Sequence, residues 1–299
     1  MAMSESRRKK LAILAKSIAR GDSASARRLL DSYGHTGVNR RRERPAEPIN
    51  LLEACGGREE GVSRPRGRAR FHLVHRGLAE LGDDCLGIAR EYASLMRGAR
   101  QRFDELAASA VLCHAASATL EGPLFVDIES CGLIGTSIFL VGTMSYAETE
   151  LVIDQYLARN YAEEEAILQA FADRYAQAGI LVTFNGKAFD MNLIRERAAF
   201  HGVALPRHEP PHLDLLVEAR RLWKGRLPNC RLQTLERHLC GRNRMGDIPG
   251  WAIPDAYHRF VQTGDARVLR DILHHNLLDL LTMAQLLCMA LGGSDGAAG

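Results

Sequence analysis

Three short acidic segments, well separated along the chain, contain the residue types that a hydrolytic metal site requires. The first is the run LFVDIE over residues 124–129, in which Asp127 and Glu129 interrupt an otherwise apolar stretch. Because strand side chains alternate between the two faces of a sheet, acids two residues apart lie on one face. Partly buried carboxylates cost folding energy unless a cation joins them. This pair therefore predicts a cation-binding position on a strand.

The second and third segments add two carboxylates and two histidines. TFNGKAFD, residues 183–190, ends at Asp190, and HNLLD, residues 275–279, ends at Asp279 and is preceded directly by His274. Carboxylate oxygens are preferred ligands of Mg²⁺ and Mn²⁺. A histidine titrates near neutrality and can act as a general base. The combined pattern predicts a divalent metal site with a histidine beside it.

Each segment also has an ordinary structural interpretation. An Asp-x-Glu pair at a strand end is commonly a solvated edge, and Asn185-Gly186 followed by Asp190 is typical of a turn and a helix start. A histidine four residues before an aspartate is commonly a surface helix pair. The metal-site interpretation is favoured because all three segments occur in order, in a strand, a strand-to-helix turn and a C-terminal helix.

The ordered pattern resembles the DEDD superfamily of 3'-5' exonucleases, which have the ribonuclease-H-like fold, and within it the YprB-like bacterial branch. The resemblance runs from about Leu124 to Leu291 and includes HLDL at 212–215 and LPNCRLQTLE at 227–236. It implies that four carboxylates bind two Mg²⁺ or Mn²⁺ ions about 3.5 to 4 Å apart, while a nearby histidine accepts the proton of the attacking water. The implied ligands are Asp127, Glu129, Asp190 and Asp279.

Two histidines compete for the role of base. In the histidine-type members of the superfamily four residues separate the base from the last aspartate, which fits His274. His275 and Asp279, however, share a face of a continuous helix, whereas His274 would point about 140° away from Asp279. The YprB-like pattern also aligns the His275-Asn276 pair with this motif. The sequence therefore favours His275, with His274 as the alternative.

Several neighbouring residues are candidates for substrate binding. Asn185 and Phe189 flank the second motif, where an amide and an aromatic ring can hold a terminal nucleotide by hydrogen bonding and stacking. Core packing is the commoner role of such a phenylalanine. Lys187 and Arg231 are candidates for phosphate contacts, and Asp214 is placed to cap a helix.

Composition sets the class of protein. The chain has 299 residues, of which 46% are hydrophobic and 25% charged, with a net charge of +3. It contains no apolar run of the roughly 18 residues that span a membrane, so no membrane partner is expected. Its seven cysteines include no C-x-x-C pair, which predicts free thiols and a cytoplasmic location.

Charge is distributed unevenly along the chain. Residues 1–122 hold 22 of the 39 Lys and Arg and 15 of the 36 Asp and Glu, so this half is basic and the remainder acidic. A basic half can attract a nucleic-acid backbone. The predicted organisation is a helical hairpin (1–37), a flexible basic linker (38–70), a helical segment (71–122), a ribonuclease-H-like exonuclease domain (123–292) and a disordered tail (293–299).

The order of elements within the last large segment predicts an α/β fold. The first motif lies on a strand, and the runs at 137–144 and 150–157 suit two further strands. A helix at 162–177, a buried strand at 180–184 and a helix at 189–201 follow, and helices fill the rest. The predicted fold is a ribonuclease-H-like mixed sheet flanked by helices, with a basic helical N-terminal extension.

The leading functional hypothesis is a metal-dependent exonuclease that removes nucleotides from a 3' end, with single-stranded DNA preferred slightly over RNA. The first alternative is a nucleic-acid-binding module on the same fold with weak or no catalysis. The second is an endonuclease, which differs only in needing no free end. Nucleic acid is the expected partner in each case, and the sequence identifies no protein partner.

Overall fold

Segments that are mostly apolar or alternating, together with one charged edge segment, form one mixed, seven-stranded sheet among the described residues. The structure, a computed structural model, describes residues 47–64, 67–99, 109–132, 135–147, 149–207 and 209–292. The strands are β1 (Arg58–Arg64), β2 (Gly67–Gly77), β3 (Pro123–Ser130), β4 (Ile138–Ala147), β5 (Glu150–Leu157), β6 (Ile180–Thr183) and β7 (His212–Asp214). Their order is β1-β2-β5-β4-β3-β6-β7. Strands β3, β6 and β7 run parallel, and the other neighbours are antiparallel.

Helices cover both faces of this sheet. They are α1 (Leu51–Cys55), α2 (Asp83–Ala99), α3 (Ala110–Ser117), α4 (Glu164–Tyr175), α5 (Asp190–His201), α6 (Leu215–Trp223), α7 (Leu232–Leu239), α8 (Ile253–Thr263) and α9 (Arg267–Gly292). Short 3-10 turns lie at Leu78–Leu81, Tyr161–Glu163 and Gly250–Ala252. Leu124 and Val126 of β3 belong to one hydrophobic cluster and Phe125 to the other, as strand alternation requires.

Helix α9 crosses the sheet and contacts β3 and β4. By length and composition its 26 residues are apolar enough to cross a membrane, but 78% of its most apolar 18-residue stretch is buried inside the protein. A helix that is apolar nearly all round is expected where other elements surround it. Helix α9 is therefore a core helix of this fold.

The predicted α/β fold is confirmed. Three antiparallel strands, a helix, a parallel strand and a second helix follow one another from β3 to α5, as the sequence predicts. The helix predicted at 162–177 is observed as α4 preceded by a 3-10 turn. The first motif lies on β3, the second at the junction of β6 and α5, and the third within α9.

The predicted flexible linker over 38–70 is wrong for its described part. Residues 47–64 and 67–70 contain α1, β1 and the start of β2, which extend the sheet at its edge. The alternating strand pattern is difficult to recognise because its exposed positions are arginines. In β2, Ala69 and Phe71 are buried, whereas Arg68 and Arg70 are exposed. Arg70 pairs across the hairpin with Glu59, at 2.5 Å between Nη1 and Oε1. Charged residues on a solvated edge strand resemble a linker in composition.

The predicted helical segment over 71–122 agrees with α2 and α3 but is wrong for Phe71–Gly77, which belongs to β2. Residues 71–74 are buried in succession because β2 is covered on both faces. A short continuous apolar run does not distinguish a strand from a buried helix. The predicted hairpin over 1–37, residues 38–46 and the predicted tail over 293–299 lie outside the described residues.

Candidate active site

Strand β3 places the two acids of the first motif on one face of the sheet. Asp127 lies opposite Gly142 of β4, Glu129 lies opposite Leu140, and the register shifts directly after Glu129. Both side chains are half-buried. The bulge therefore interrupts the regular ladder directly beside the first motif, a position where bulges are common next to active sites.

Asn276 of α9 holds Asp127 in place. Its Nδ2 donates to Asp127 Oδ2 at 2.8 Å, and its Oδ1 accepts from Gln155 Nε2 at 2.8 Å. Gly142 is required for this approach, because a Cβ there would collide with the Asn276 amide. Asn276 and Gln155 are fully buried. The buried amides of Asn276 and Gln155 therefore fix the orientation of the Asp127 carboxylate.

Asp214 shapes the turn that carries the second motif. Asn185 adopts a left-handed conformation with φ of 66°, which costs a non-glycine residue free energy unless the surroundings fix it. Asp214 accepts hydrogen bonds from the backbone N–H groups of Asn185 at 2.7 Å and Lys187 at 3.2 Å, and also caps α6 through Leu216 N at 3.0 Å. This turn delivers Asp190 to the first residue of α5.

The four predicted ligands interact electrostatically. Burial and the negative charges of Asp279, Glu129 and Asp190 raise the pKa of Asp127 well above its usual range. Glu129 behaves in the same way, since burial and the charges of Asp279 and Asp190 raise its pKa. Burial raises the pKa of Asp190 to about 6. Mutual repulsion of this kind indicates a cluster that is short of positive charge.

Asp279 differs from the other three because it has a cationic partner. The Arg244 side chain is 6% exposed, and its Nη2 lies 2.5 Å from Asp279 Oδ1. Its Nε lies 2.5 Å from Glu236 Oε2, and its Nη1 lies 3.4 Å from Asp247 Oδ2. Burial raises the pKa of Asp279, while Arg244 and His275 act in the opposite direction. Asp279 thus joins the carboxylate cluster to a buried network of charges.

His275 lies between two carboxylates. Its Nδ1 is 2.8 Å from Asp247 Oδ2, and its Nε2 is 3.6 Å from Asp279 Oδ2. Within the described chain Asp247 Oδ1 is buried without a hydrogen-bond partner. His274 is exposed and lines a separate cavity of about 740 Å³ with Leu278. The continuous helix therefore places His275, and not His274, beside Asp279.

The donor set suits a hard divalent cation. All four predicted ligands are carboxylates, and no lysine or arginine of the described residues forms an ion pair with Asp127, Glu129 or Asp190. As they stand, the described residues contain no group of three or more His, Cys, Asp or Glu side chains that closes round one point.

The predicted substrate residues lie in the turn before Asp190 or in a cleft beside that turn. Phe189 is 54% exposed and does not pack into the core. Asn185 and Arg231 line a cleft of about 700 Å³, and Lys187 is exposed. Sequence reasoning missed Arg244 and Asp247 as site residues. Asp247 lies 28 positions from its partner His275, so no local spacing signals the pair.

Comparisons with known proteins place residues 124–290, more than half of the chain, in a match to a family model described as the RNase_H superfamily. The chain is 36% identical over 166 residues to the uncharacterized protein YprB of Bacillus subtilis, a match covering 54% of this chain and 40% of that protein. It thus spans less than half of that relative's length. The family B DNA polymerase of Pyrobaculum calidifontis is similar with a TM-score of 0.43 and 16% identity, over 55% of this chain and 24% of that one.

Proposed function

Because the chain belongs to the RNase_H superfamily over residues 124–290, we propose that it is a metal-dependent nuclease that hydrolyses the phosphodiester bonds of nucleic acid. Membership of this superfamily supports a nuclease or phosphodiester hydrolase in general. The finer proposal is a 3'-5' exonuclease that acts on single-stranded DNA or RNA by a two-metal mechanism.

One observation carries the proposal. Carboxylates from β3, the start of α5 and the middle of α9 raise one another's pKa, and a histidine backed by a carboxylate lies beside them. Glu164 of α4 has Arg197 as a cationic partner, whereas Asp127, Glu129 and Asp190 have no cationic partner among the described residues. An arrangement that costs stability in the free protein is typical of a functional site.

Each residue has a chemical role in this proposal. Asp127, Glu129, Asp190 and Asp279 would hold Mg²⁺ or Mn²⁺, and the ions would supply water activation and charge neutralisation. The Asp247 carboxylate accepts a hydrogen bond from His275 Nδ1–H, which leaves Nε2 free to take a proton.

The reaction is an in-line displacement at phosphorus. The water oxygen forms a bond to phosphorus, the bond from phosphorus to the 3' oxygen breaks, and the water proton passes to His275 Nε2. The departing 3' oxygen takes a proton from solvent. The chain supplies position and charge, which account for most of the catalysis in phosphoryl transfer.

The decisive experiment incubates the purified protein with 5'-labelled single-stranded DNA and RNA in the presence of Mg²⁺ or Mn²⁺. We expect a ladder of products that shorten stepwise from the 3' end. The Asp127→Asn variant, prepared in parallel, controls for a contaminating nuclease.

The alternatives predict different products. A single internal cut would overturn the exonuclease proposal in favour of an endonuclease. Retarded but uncut substrate, with both metals and both sugars, would identify a binding module without catalysis and contradict the proposed hydrolysis.

A further inference from the structure

A cleft of about 700 Å³ opens beside the turn that carries the second motif. One part of its wall is apolar and comes from Phe184, Leu216, Leu227, Pro228 and Leu232. Phe184 directly follows β6, and Leu216 belongs to α6. The cleft is thus formed where the sheet, α6 and the segment leading into α7 meet. An apolar wall of this size is large enough to accept flat aromatic groups.

The remainder of the wall is basic. Arg220, Lys224 and Arg231 all line the cleft and are all exposed, and no aspartate or glutamate among the described residues contributes to its lining. Within the part of the chain that the structure describes, none of the three side chains forms an ion pair. This contrasts with Arg195 and Arg197 of α5, which are paired with Glu209 and Glu164. Unpaired cations in a concave wall attract an anionic ligand.

The cleft is connected to the carboxylate cluster on two sides. Asn185, which lines it, is clamped by Asp214 in the turn before Asp190. A second cleft of about 420 Å³ shares the Pro228-Asn229 wall with the first. The second cleft is lined by Arg244, whose guanidinium contacts Asp279. A ligand lying along the shared wall therefore passes from the basic cleft toward the carboxylates.

We propose that this cleft binds a single strand of nucleic acid, with bases against the apolar wall and phosphates on Arg220, Lys224 and Arg231, and leads the strand to the carboxylate cluster. The inference rests on the proposed nuclease function and specifies its substrate path. Alternating apolar and cationic contacts suit a single strand, since every base has a face that can stack and every phosphate a charge. A duplex hides its base faces and would use only the cations.

The first test measures binding without hydrolysis. A fluorescein-labelled oligothymidylate is titrated with protein in EDTA over a series of NaCl concentrations, and anisotropy gives Kd. Changing Arg220, Lys224 and Arg231 to alanine should raise Kd at least about tenfold. It should also flatten the slope of log K against log salt by about 2, since each single-strand phosphate contact contributes about 0.7.

Matched control substitutions test whether the effect is local. Arg90 and Arg259 are exposed and line neither cleft, so the Arg90→Ala/Arg259→Ala variant should bind as the wild type does. Because all of the substituted side chains are exposed, each variant should keep the wild-type melting temperature.

The second test locates the strand on the unmodified protein. The chain has five lysines, Lys9, Lys10, Lys16, Lys187 and Lys224. Bound oligothymidylate should slow acetylation of Lys224 at least about fivefold, as read by mass spectrometry. Inorganic phosphate at the same phosphate concentration should leave the rate unchanged, because it lacks bases to hold it against the apolar wall.

The two proposals fail separately. An unchanged Kd in the triple variant, together with unprotected Lys224, would overturn the substrate path even if the protein is an active nuclease. Normal binding with protected Lys224 but no hydrolysis would support the path and contradict the nuclease proposal. Protection of Lys224 by phosphate alone would show an anion site without strand recognition and would overturn the path.

Discussion

The fold contains a buried acid, Glu164, that has cationic partners within the protein, and a half-buried group of four acids that has few such partners. Glu164, at the start of α4, is 1% exposed and accepts hydrogen bonds from Arg197 at 2.7 and 2.8 Å, His201 at 2.9 Å and Ile138 N at 2.8 Å. Burial raises the pKa of Glu164, but these partners outweigh burial and lower it overall. In the carboxylate cluster formed by Asp127, Glu129, Asp190 and Asp279, burial and neighbouring charge raise the pKa instead.

Glu164 thus belongs to an internal ion pair, whereas the carboxylate cluster has the properties of a binding site for a cation. The protein neutralises Glu164 with its own cations, so that carboxylate strengthens the fold at neutral pH. The first three acids of the carboxylate cluster have no such partner among the described residues, and they gain a counter-ion only from outside. Asp279 is intermediate, because Arg244 neutralises it in part. A substitution in the carboxylate cluster should therefore reduce activity with little loss of stability. A substitution of Glu164 should reduce stability with little loss of activity.

The largest expected effect is the loss of hydrolysis in Asp127→Asn. The amide keeps the shape of the side chain but removes its charge, so activity should fall below a few per cent of wild type. The melting temperature should be unchanged or higher, because one source of repulsion has gone. Assays of single-turnover hydrolysis and thermal melts on the same preparation check both halves. Retention of substantial activity would show that Asp127 is not a ligand.

The next largest effect separates the two histidines. His275→Ala should lower kcat by roughly 10² to 10⁴ and flatten the acid limb of the pH–rate profile, because the group that accepts the proton has been removed. His274→Ala should have little effect, since its side chain lines a different cavity. The opposite ranking would assign the base to His274, and near-wild-type rates in both variants would exclude a histidine base.

The comparison predicts a large loss of stability, and little loss of activity, in Glu164→Gln. Removing one partner of a buried pair leaves Arg197 uncompensated, which costs about 3 to 5 kcal/mol in free energy of unfolding. The lowered pKa of Glu164 sets the pH dependence: its stabilisation is complete above the unfolded value of about 4.3 and is lost as pH falls through the folded value. Urea melts from pH 7 to pH 3 should show this loss in wild type and a smaller one in the variant.

Much of this site was predictable because its signals are local. The acids of β3, the turn before Asp190 and the His275 to Asp279 helical spacing each depend on neighbouring residues. The predicted similarity to the YprB-like branch of the ribonuclease-H-like family is confirmed. The DEDD subtype and the catalytic roles of these residues stay predictions.

The missed features depend on distant contacts. Arg244 reaches Asp279 across 35 positions, and Asp247 reaches His275 across 28. Strand β2 pairs with β5, so Leu73 lies opposite Tyr156 in a register that the local sequence does not encode. The buried run of β2 resembled a helix because both faces of the strand are covered. Strand β1 resembled a linker because its charged side chains face solvent. Local periodicity therefore identifies an element only when its pattern of buried and exposed residues does not depend on contacts with distant parts of the chain.

The smallest expected effect is metal-induced stabilisation, which sharpens the comparison from the other side. An ion that binds only the folded protein stabilises it by about 2.7 kcal/mol at 100 times its Kd. Mn²⁺ should raise the melting temperature at least as much as Mg²⁺, because carboxylate sites suit Mn²⁺ as well as Mg²⁺. The Asp190→Asn/Asp279→Asn variant should lose this shift, and Glu164→Gln should keep it.

The pH dependence of that shift follows from Asp190. Its folded pKa of about 6 lies above the unfolded value of about 3.9, so its ionised form destabilises the metal-free fold above pH 6. That destabilisation disappears as pH falls through the interval, which is opposite in sign to the behaviour of Glu164. Protons compete with the ion for the same oxygens, so the Mn²⁺ shift should be smaller at pH 5 than at pH 7.5. A shift that is equal at both pH values, or that survives in the double variant, would place the bound ion elsewhere than on these carboxylates.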